Sequence, residues 1–289
     1  MNLKKPNFWN KRNLITYIFL PFTIITHLIN LIKNFSNKKK FKIKTICIGN
    51  IFIGGTGKTS LSILINQILN KKFKTVFIKK NYINQKDEIN LLKRNGNIIT
   101  TSSRIESLKL AEKKKYDFAI LDDGLQQKNI EYDLKIACFN SSEFIGNGFV
   151  LPAGPLRESI KEIKNYDMIF LNGSIKSAKK IFKQIKTLNK DIDILEGEYV
   201  PQNIHTFNKK RNYLMFCGIG NPKEFENTLL KYKFKLRKKL IFTDHHNFSN
   251  EEITNLKKIA FKNKLEIITT EKDYLRLNLN QKKKIKFLK

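Results

Sequence analysis

The chain is 289 residues long, 41% hydrophobic and 11% aromatic, which supplies cores for two modest domains and excludes a disordered tail. Its 56 Lys+Arg against 25 Asp+Glu give a formal net charge of +31, a balance that suits nucleic acid, anionic lipid or phosphorylated substrates. Lysine is abundant along the whole length together with Asn and Ile, so much of the excess reads as solvated surface, and the clustering near the N-terminus says more than the sum.

The first element is the run LITYIFLPFTIITHLINLI, Leu14 to Ile32, flanked by Lys4, Lys5, Lys11 and Arg12 before it and by Lys33 and Lys38 to Lys40 after it. No small-residue cleavage site follows, so a removed signal peptide does not fit. Its length approaches the ~20 residues of a spanning helix. Pro21, Thr23, Thr26, His27 and Asn30 interrupt it, and bases at both ends leave no orientation bias. A helix lying in the interface with its lysines on anionic headgroups fits as well as a spanning one, and a buried first helix of a soluble domain is a third reading. Residues 1–40 are taken as a membrane-associating helix and tether.

From residue 41 short β-rich runs alternate with helical ones: strand 43–48, helix 58–70, strand 74–79, helix 104–114, strands 117–122 and 134–139, then strands 167–171 and 192–200 around a lysine-rich helix at 175–187. This predicts an α/β fold, a mostly parallel sheet covered by helices. The polar, turn-rich VPQNIHTFNKKRN marks a boundary near 204. Beyond it come strand 213–217, helix 222–232, strand 236–242, helix 250–262 and strand 265–269. The expected domains are therefore 41–204, binding nucleotide, and 205–289, a smaller α/β domain. Cys47, Cys138 and Cys217 fall in apolar runs without CxxC spacing, which predicts buried core thiols and no disulfide framework.

Directly after the first of these strands stands GNIFIGGTGKTS. Glycines free backbone N–H groups to face a phosphate, the next helix presents its positive N-terminus, and a lysine reaches the outer phosphates. Gly54, Gly55, Thr56, Gly57, Lys58, Thr59 and Ser60 are the expected cradle, with Lys58 on the β- and γ-phosphates and Thr59 on Mg²⁺. The strict P-loop pattern asks for Gly at 52, where this chain has Phe52. YDFAILDDGLQQ ends an apolar strand on Asp122 and Asp123, placed to hold Mg²⁺ or its waters. No NKxD element for reading guanine is present, and TTEKD at 269–273 has the spacing of a helix cap, so ATP is the expected nucleotide.

Taken in order, GNIFIGGTGKTS, DDGLQQ, GNGFVLPAGPLRES, FCGIGNPKEF, FTDHHNFS and TTEKD resemble the motif series of tetraacyldisaccharide 4'-kinase, over about residues 43 to 275. The apolar N-terminus matches that family's membrane-associating helix. The resemblance implies transfer of the ATP γ-phosphoryl to the 4'-hydroxyl of an acylated disaccharide 1-phosphate lipid, giving lipid IVA, at the cytoplasmic face of a Gram-negative inner membrane. It implies ATP and Mg²⁺, an anionic membrane surface, no nucleic acid and no obligate protein partner. It also implies a substrate cleft whose closure brings His245 toward Asp87.

Asp87, in KDEINLLKR, resembles the Asp of the family's GDEPLLL and is the implied base, with a plain helix N-cap as the competing role. His245, rather than His246, is the implied partner, and Asp244 would orient its ring. Arg157 in LPAGPLRES would contact a phosphate and Glu158 would join the metal shell. Two departures stand out. The family's Ser-Arg-Gly-Tyr-Gly appears here as KKNYI, retaining only Tyr82 as a substrate contact, and the His that follows DDGxQ is Gln127, which can neither take up a proton nor carry charge. The alternative from the P-loop alone is an ATPase switch or metallochaperone acting on a protein partner, and a basic membrane or nucleic-acid binding module is a third class.

Overall fold

A computed structural model describes residues 6–81, 86–173 and 178–289. Among them the chain divides into two compact units, 6–81 with 92–198, and 86–91 with 199–289. The division after Glu198 precedes the expected boundary at 204. The short piece 86–91 travels with the later half because its acidic residues are ion-paired there, as described below.

The larger unit carries seven strands: β1 Lys44–Gly49, β2 Thr75–Lys80, β3 Ile98–Thr101, β4 Phe118–Asp122, β5 Leu134–Asn140, β6 Met168–Asn172 and β7 Asp193–Gly197. Their order is β3-β2-β4-β1-β5-β6-β7, and every pairing is parallel. Parallel strands buried on both faces read as continuous apolar runs, which is why KTICIG, TVFIKK and FAILD stood out in the sequence. Helix α3 Lys58–Leu69 follows β1 and covers a face built from Ile48, Phe77, Ile120 and Leu61. The opposite face holds Val76, Ile78, Ala119, Leu121 and Leu108 of α5 Arg104–Lys113. Because side chains alternate along a strand, each polar residue at the carboxyl edge inherits the face of its neighbour two positions back.

Before this sheet the chain forms α1 Leu14–Phe19 and α2 Thr23–Asn34, separated by a single 3₁₀ turn, Leu20–Phe22, in which Pro21 is an allowed first-turn residue. Leu14–Asn34 is long and apolar enough to cross a membrane by length and composition. Its burial is inverted relative to a core helix. Thr16 and Thr23 are buried, while Ile18, Ile25, Leu28 and Ile32 are exposed, Ile32 by 70%. The third reading, a first helix buried in a soluble core, is thereby set aside. The polar residues that interrupt the run are its attachment: Thr26 Oγ1 donates to the carbonyl of Leu151 (2.7 Å) and Asn30 Nδ2 to that of Arg157 (2.9 Å).

The smaller unit contains a second wholly parallel sheet, ordered β11-β10-β8-β9, from β8 Asn212–Cys217, β9 Lys235–Ile241, β10 Glu266–Thr270 and β11 Ile285–Leu288. Helices α7 Pro222–Lys231, α8 Asn250–Lys262, α9 Glu271–Arg276 and α10 Leu279–Lys282 belong to it, as does the start of α4 Lys86–Asn95. Helix α6 Ala178–Leu188 lies in the larger unit. The strands at 98–101 and 285–288 were not among the expected elements. All three cysteines are free and buried, and burial pushes the thiols of Cys47 and Cys217 up to about 12, as expected of inert core residues.

Candidate active site

In the larger unit β1 ends on Gly49, and the loop that follows is held by side chain and backbone alike. Buried Asn50 donates from Nδ2 to the carbonyls of Phe52 (2.6 Å) and Gly54 (3.3 Å). Ile53 N–H donates to Pro155 O (2.8 Å) and Arg157 N–H to Ile51 O (2.6 Å), so the segment LPAGPLR braces the loop. Phe52 explains its own departure from the P-loop pattern, because its ring is 1% exposed and packs in the main core. Gly54 (φ 146°) and Gly57 (φ 86°) take conformations that a side chain resists. Gly57 caps α3 without any side-chain hydrogen bond, which leaves the helix N-terminus to an anion.

At the end of β4, Asp122 is fully buried. Its Oδ2 accepts from Thr59 Oγ1 (3.2 Å) and from Lys79 Nζ (2.6 Å), while its Oδ1 has no partner. Asp123 adopts φ 62°, and its Oδ1 accepts from Arg157 NH1 (2.9 Å). Arg104, at the start of α5, donates to Asp123 O (2.6 Å) and to Gln127 Oε1 (3.1 Å), so in this structure Gln127 accepts from a guanidinium. Gln126 ties the same turn to Asn50 O (2.9 Å). Lys33, Arg104, Lys128 and Arg157, with Asp123 and Gln127, line a cavity of about 450 Å³, four cations against one carboxylate.

Glu158, expected to join the metal shell, accepts on Oε2 from Lys128 (3.2 Å) and the Tyr166 hydroxyl (3.0 Å), and its buried Oε1 is unpartnered. Burial pushes its carboxyl up, against the pull of Lys128. Tyr82 lies outside the described residues. Sequence reasoning missed Asn50, Lys79 and Arg104. Asn50 lies inside GNIFIGGTGKTS and Lys79 opens KKNYI, but the phosphate-cradle pattern assigns neither a part, whereas Arg104 at the first position of a predicted helix could have been singled out.

In the smaller unit a second constellation forms. Asp87, in the first turn of α4, is buried, with Oδ1 3.1 Å from His245 Nδ1 and Oδ2 accepting from Arg276 NH2 at 2.6 Å. Lys272 Nζ pairs with Glu88 Oε1 at 2.7 Å. Arg276 also donates to Gly218 O (2.6 Å) and Asp273 (2.8 Å), so α9 fixes the turn that carries Asp87. Both Asp87 and His245 belong to this unit, so the pair exists without the closure that was expected to create it. Burial alone would raise the Asp87 carboxyl, but the His245 hydrogen bond and the charges of Lys272 and Arg276 overcome it and hold the group well below the usual carboxylate range. Asp87 is an ionised acceptor with both oxygens engaged. It therefore favours the His245 tautomer with its proton on Nδ1 and a lone pair on Nε2.

Asp244 accepts from the backbone N–H of His245 (3.0 Å), and its carboxylate is 3.9 Å from Nε2, so it steadies the turn more directly than the ring. His246 is engaged elsewhere, with Nε2 3.0 Å from Glu252 of the α8 capping box and its ring against Phe242 and Phe248. Thr270 caps α9 by accepting from Asp273 N–H (3.1 Å), which accounts for TTEKD as a structural cap.

A parallel sheet whose central strand runs through a glycine-rich turn into an uncapped helix N-terminus, with an aspartate at the end of the adjoining strand, defines a P-loop nucleotide-binding α/β protein. The family described as tetraacyldisaccharide-1-P 4'-kinase matches residues 15–289, and the chain belongs to that family. The tetraacyldisaccharide 4'-kinase of Pelagibacter ubique is 49% identical over 285 residues, 97% of this chain and 91% of that one. The Rickettsia akari enzyme of the same name is 33% identical, covering 96% and 90%. Among solved structures, LpxK from Aquifex aeolicus, crystallised with ATP, shares the fold with a TM-score of 0.67 at 21% identity over 96% of this chain and 94% of that chain.

Proposed function

We propose that the protein transfers the γ-phosphoryl group of ATP to the 4'-hydroxyl of tetraacyldisaccharide 1-phosphate, working at the cytoplasmic face of the inner membrane. The observation that carries this reading is the Thr59–Asp122 contact beneath a glycine-rich turn, in a chain matched almost end to end by one kinase family. Backbone N–H groups of residues 54–59 and the α3 N-terminus bind the phosphates, and Lys58 neutralises their outer oxygens.

The donor set fits magnesium. Thr59 Oγ1 and the orphaned, buried Asp122 Oδ1 would be its hard oxygen ligands, and Asp123 follows Asp122 in the chain with its carboxylate paired to Arg157. When bound, the ion would supply neutralisation of the phosphate charge. Phosphoryl transfer asks little covalent chemistry of the protein, so positioning and charge dominate. His245 Nε2 takes the proton of the acceptor hydroxyl, and Asp87 orients the ring and stabilises the imidazolium that forms. This exchanges the roles expected from sequence, for the reason given above: Asp87 is too well satisfied to be a base.

The substrate is a lipid with an anionic head. Exposed Ile18, Ile25, Leu28 and Ile32 seat the protein on the bilayer, and the cationic cavity beside Lys33 accepts the anionic headgroup. The smaller unit, 86–91 with 199–289, supplies the acceptor-side residues, and Arg157 serves the phosphates. The test is direct: protein, γ-labelled ATP, Mg²⁺ and tetraacyldisaccharide 1-phosphate in mixed micelles. Label is expected in the lipid fraction and lost in Lys58→Ala. Normal ATP binding with no labelled lipid would refute the reading.

A further inference from the structure

The ion pair between Lys79 and Asp122 is not required by a phosphate cradle. Parallel register sets Ile78 opposite Leu121, which makes Lys79 and Asp122 the next positions outward at the carboxyl edge of the sheet. Lys79 follows Phe77 by two residues and Asp122 follows Ile120 by two, so both face α3 and Thr59. The ammonium and carboxylate meet at 2.6 Å with exposures of 1% and 0%. Asp123 is likewise matched, by Arg157. Each carboxylate at the end of β4 thus already has its own cation, and a free divalent ion meets little net negative charge there. The orphaned Asp122 Oδ1 is the one oxygen that this pairing leaves open.

We propose that Lys79 is a resident counter-ion and positioning residue of the phosphoryl-transfer site, which blocks capture of free metal and makes metal binding conditional on the triphosphate. Holding Oδ2 also fixes the rotamer that presents Oδ1. A bound nucleotide restores the attraction with its own phosphate charges, so nucleotide and metal enter as a pair. The inference rests on the reading that Thr59 and Asp122 hold the metal.

The test titrates full-length protein with Mn²⁺, followed by electron paramagnetic resonance, with and without a non-hydrolysable ATP analogue. Wild type is expected to bind Mn²⁺ with the analogue and not without it below millimolar concentration. In Lys79→Met, affinity for Mn²⁺ alone should rise by about tenfold or more, since a buried unit charge a few ångströms away has been removed. Lys79→Arg should return wild-type behaviour, and a second change, Asp122→Asn, should abolish the gained site.

Because Lys79→Met leaves a bare buried carboxylate and risks misfolding, Lys79→Gln is the companion: its amide still donates to Asp122 but carries no charge. A purely structural lysine predicts that both neutral variants bind free Mn²⁺ as wild type does, and that result, or tight binding of free Mn²⁺ by wild type, overturns the proposal. If wild type binds no Mn²⁺ even with the analogue, the assignment of Thr59 and Asp122 fails instead.

Discussion

Restoring the glycine that the P-loop pattern expects at position 52 should damage this protein. Phe52 is 1% exposed and lies in the main core of the larger unit, and its backbone is not left-handed, so nothing there calls for glycine. Removing a fully buried Phe ring costs about 3–5 kcal/mol, because transfer and cavity terms add. Glycine's extra freedom in the unfolded chain adds roughly 0.5–1 kcal/mol. The ring also backs the cradle, since a Cβ on Gly54 would sit 3.1 Å from its Cε1. For a unit of this size 1 kcal/mol moves Tm by about 2–4 °C, so Phe52→Gly should lower Tm by roughly 10–20 °C. Phe52→Ala separates the cavity from the backbone contribution and should recover only the smaller part. Differential scanning calorimetry with and without ATP is the assay. Affinity should fall less than stability, because Asn50 and Pro155 hold the loop's course through backbone groups that the substitution keeps. A fall in Tm below about 3 °C would show that the ring is not a core residue and would refute the account of the departure.

His245→Ala should lower kcat by about 10²–10⁴ with little change in ATP affinity, measured by lipid phosphorylation and nucleotide titration, as expected for loss of a general base. Asp87 has a folded-state pKa below its unfolded value. Its stabilising contribution is therefore complete above about pH 4–5 and is lost as pH falls through the range below. Asp87→Asn should accordingly flatten the acid side of the Tm–pH curve; an unchanged slope there would remove Asp87 from the ion network. Asn30→Leu deletes the bond to Arg157 O but keeps the outward apolar face, so vesicle flotation should be unaffected while the loss of one hydrogen bond lowers stability by about 1 kcal/mol.

Legibility in the sequence tracked the range of the interactions. The cradle and its aspartates were visible because glycine, lysine and strand-end carboxylates act through local backbone geometry. The strands at 98–101 and 285–288 were not, since IITT and IKFL are four residues long and become strands only through pairing with Phe77–Lys80 and Ile267–Thr270. Lys79 was unreadable for a similar reason. A lysine at a strand end ordinarily reaches water, and only the register with β4 shows that this one meets Asp122. Arg276 and Asp87 are 189 residues apart in sequence, beyond any spacing rule. In TDHHNF the resemblance favours His245 over His246, and the structure adds that Glu252, a capping residue, engages His246.

The polar interruptions of the N-terminal run show the limit of reading hydropathy by itself. Thr26 and Asn30 look like defects in a lipid-seeking helix, yet each spends its donor on a backbone carbonyl of the segment 151–157. Trp9 Nε1 does the same to Pro152 (3.0 Å), and Arg12 bonds Asn147 O (3.2 Å). That same segment braces the cradle through Pro155 and Arg157 and brings the Arg157 guanidinium to Asp123. One short loop is therefore the common support of the apolar surface and the phosphate-handling turn. Partly buried donors on an apolar helix need acceptors of their own, and here the acceptors are carbonyls of the loop that braces the glycine-rich turn. The polar residues that weaken the run as a membrane span are what fix its register against the active site.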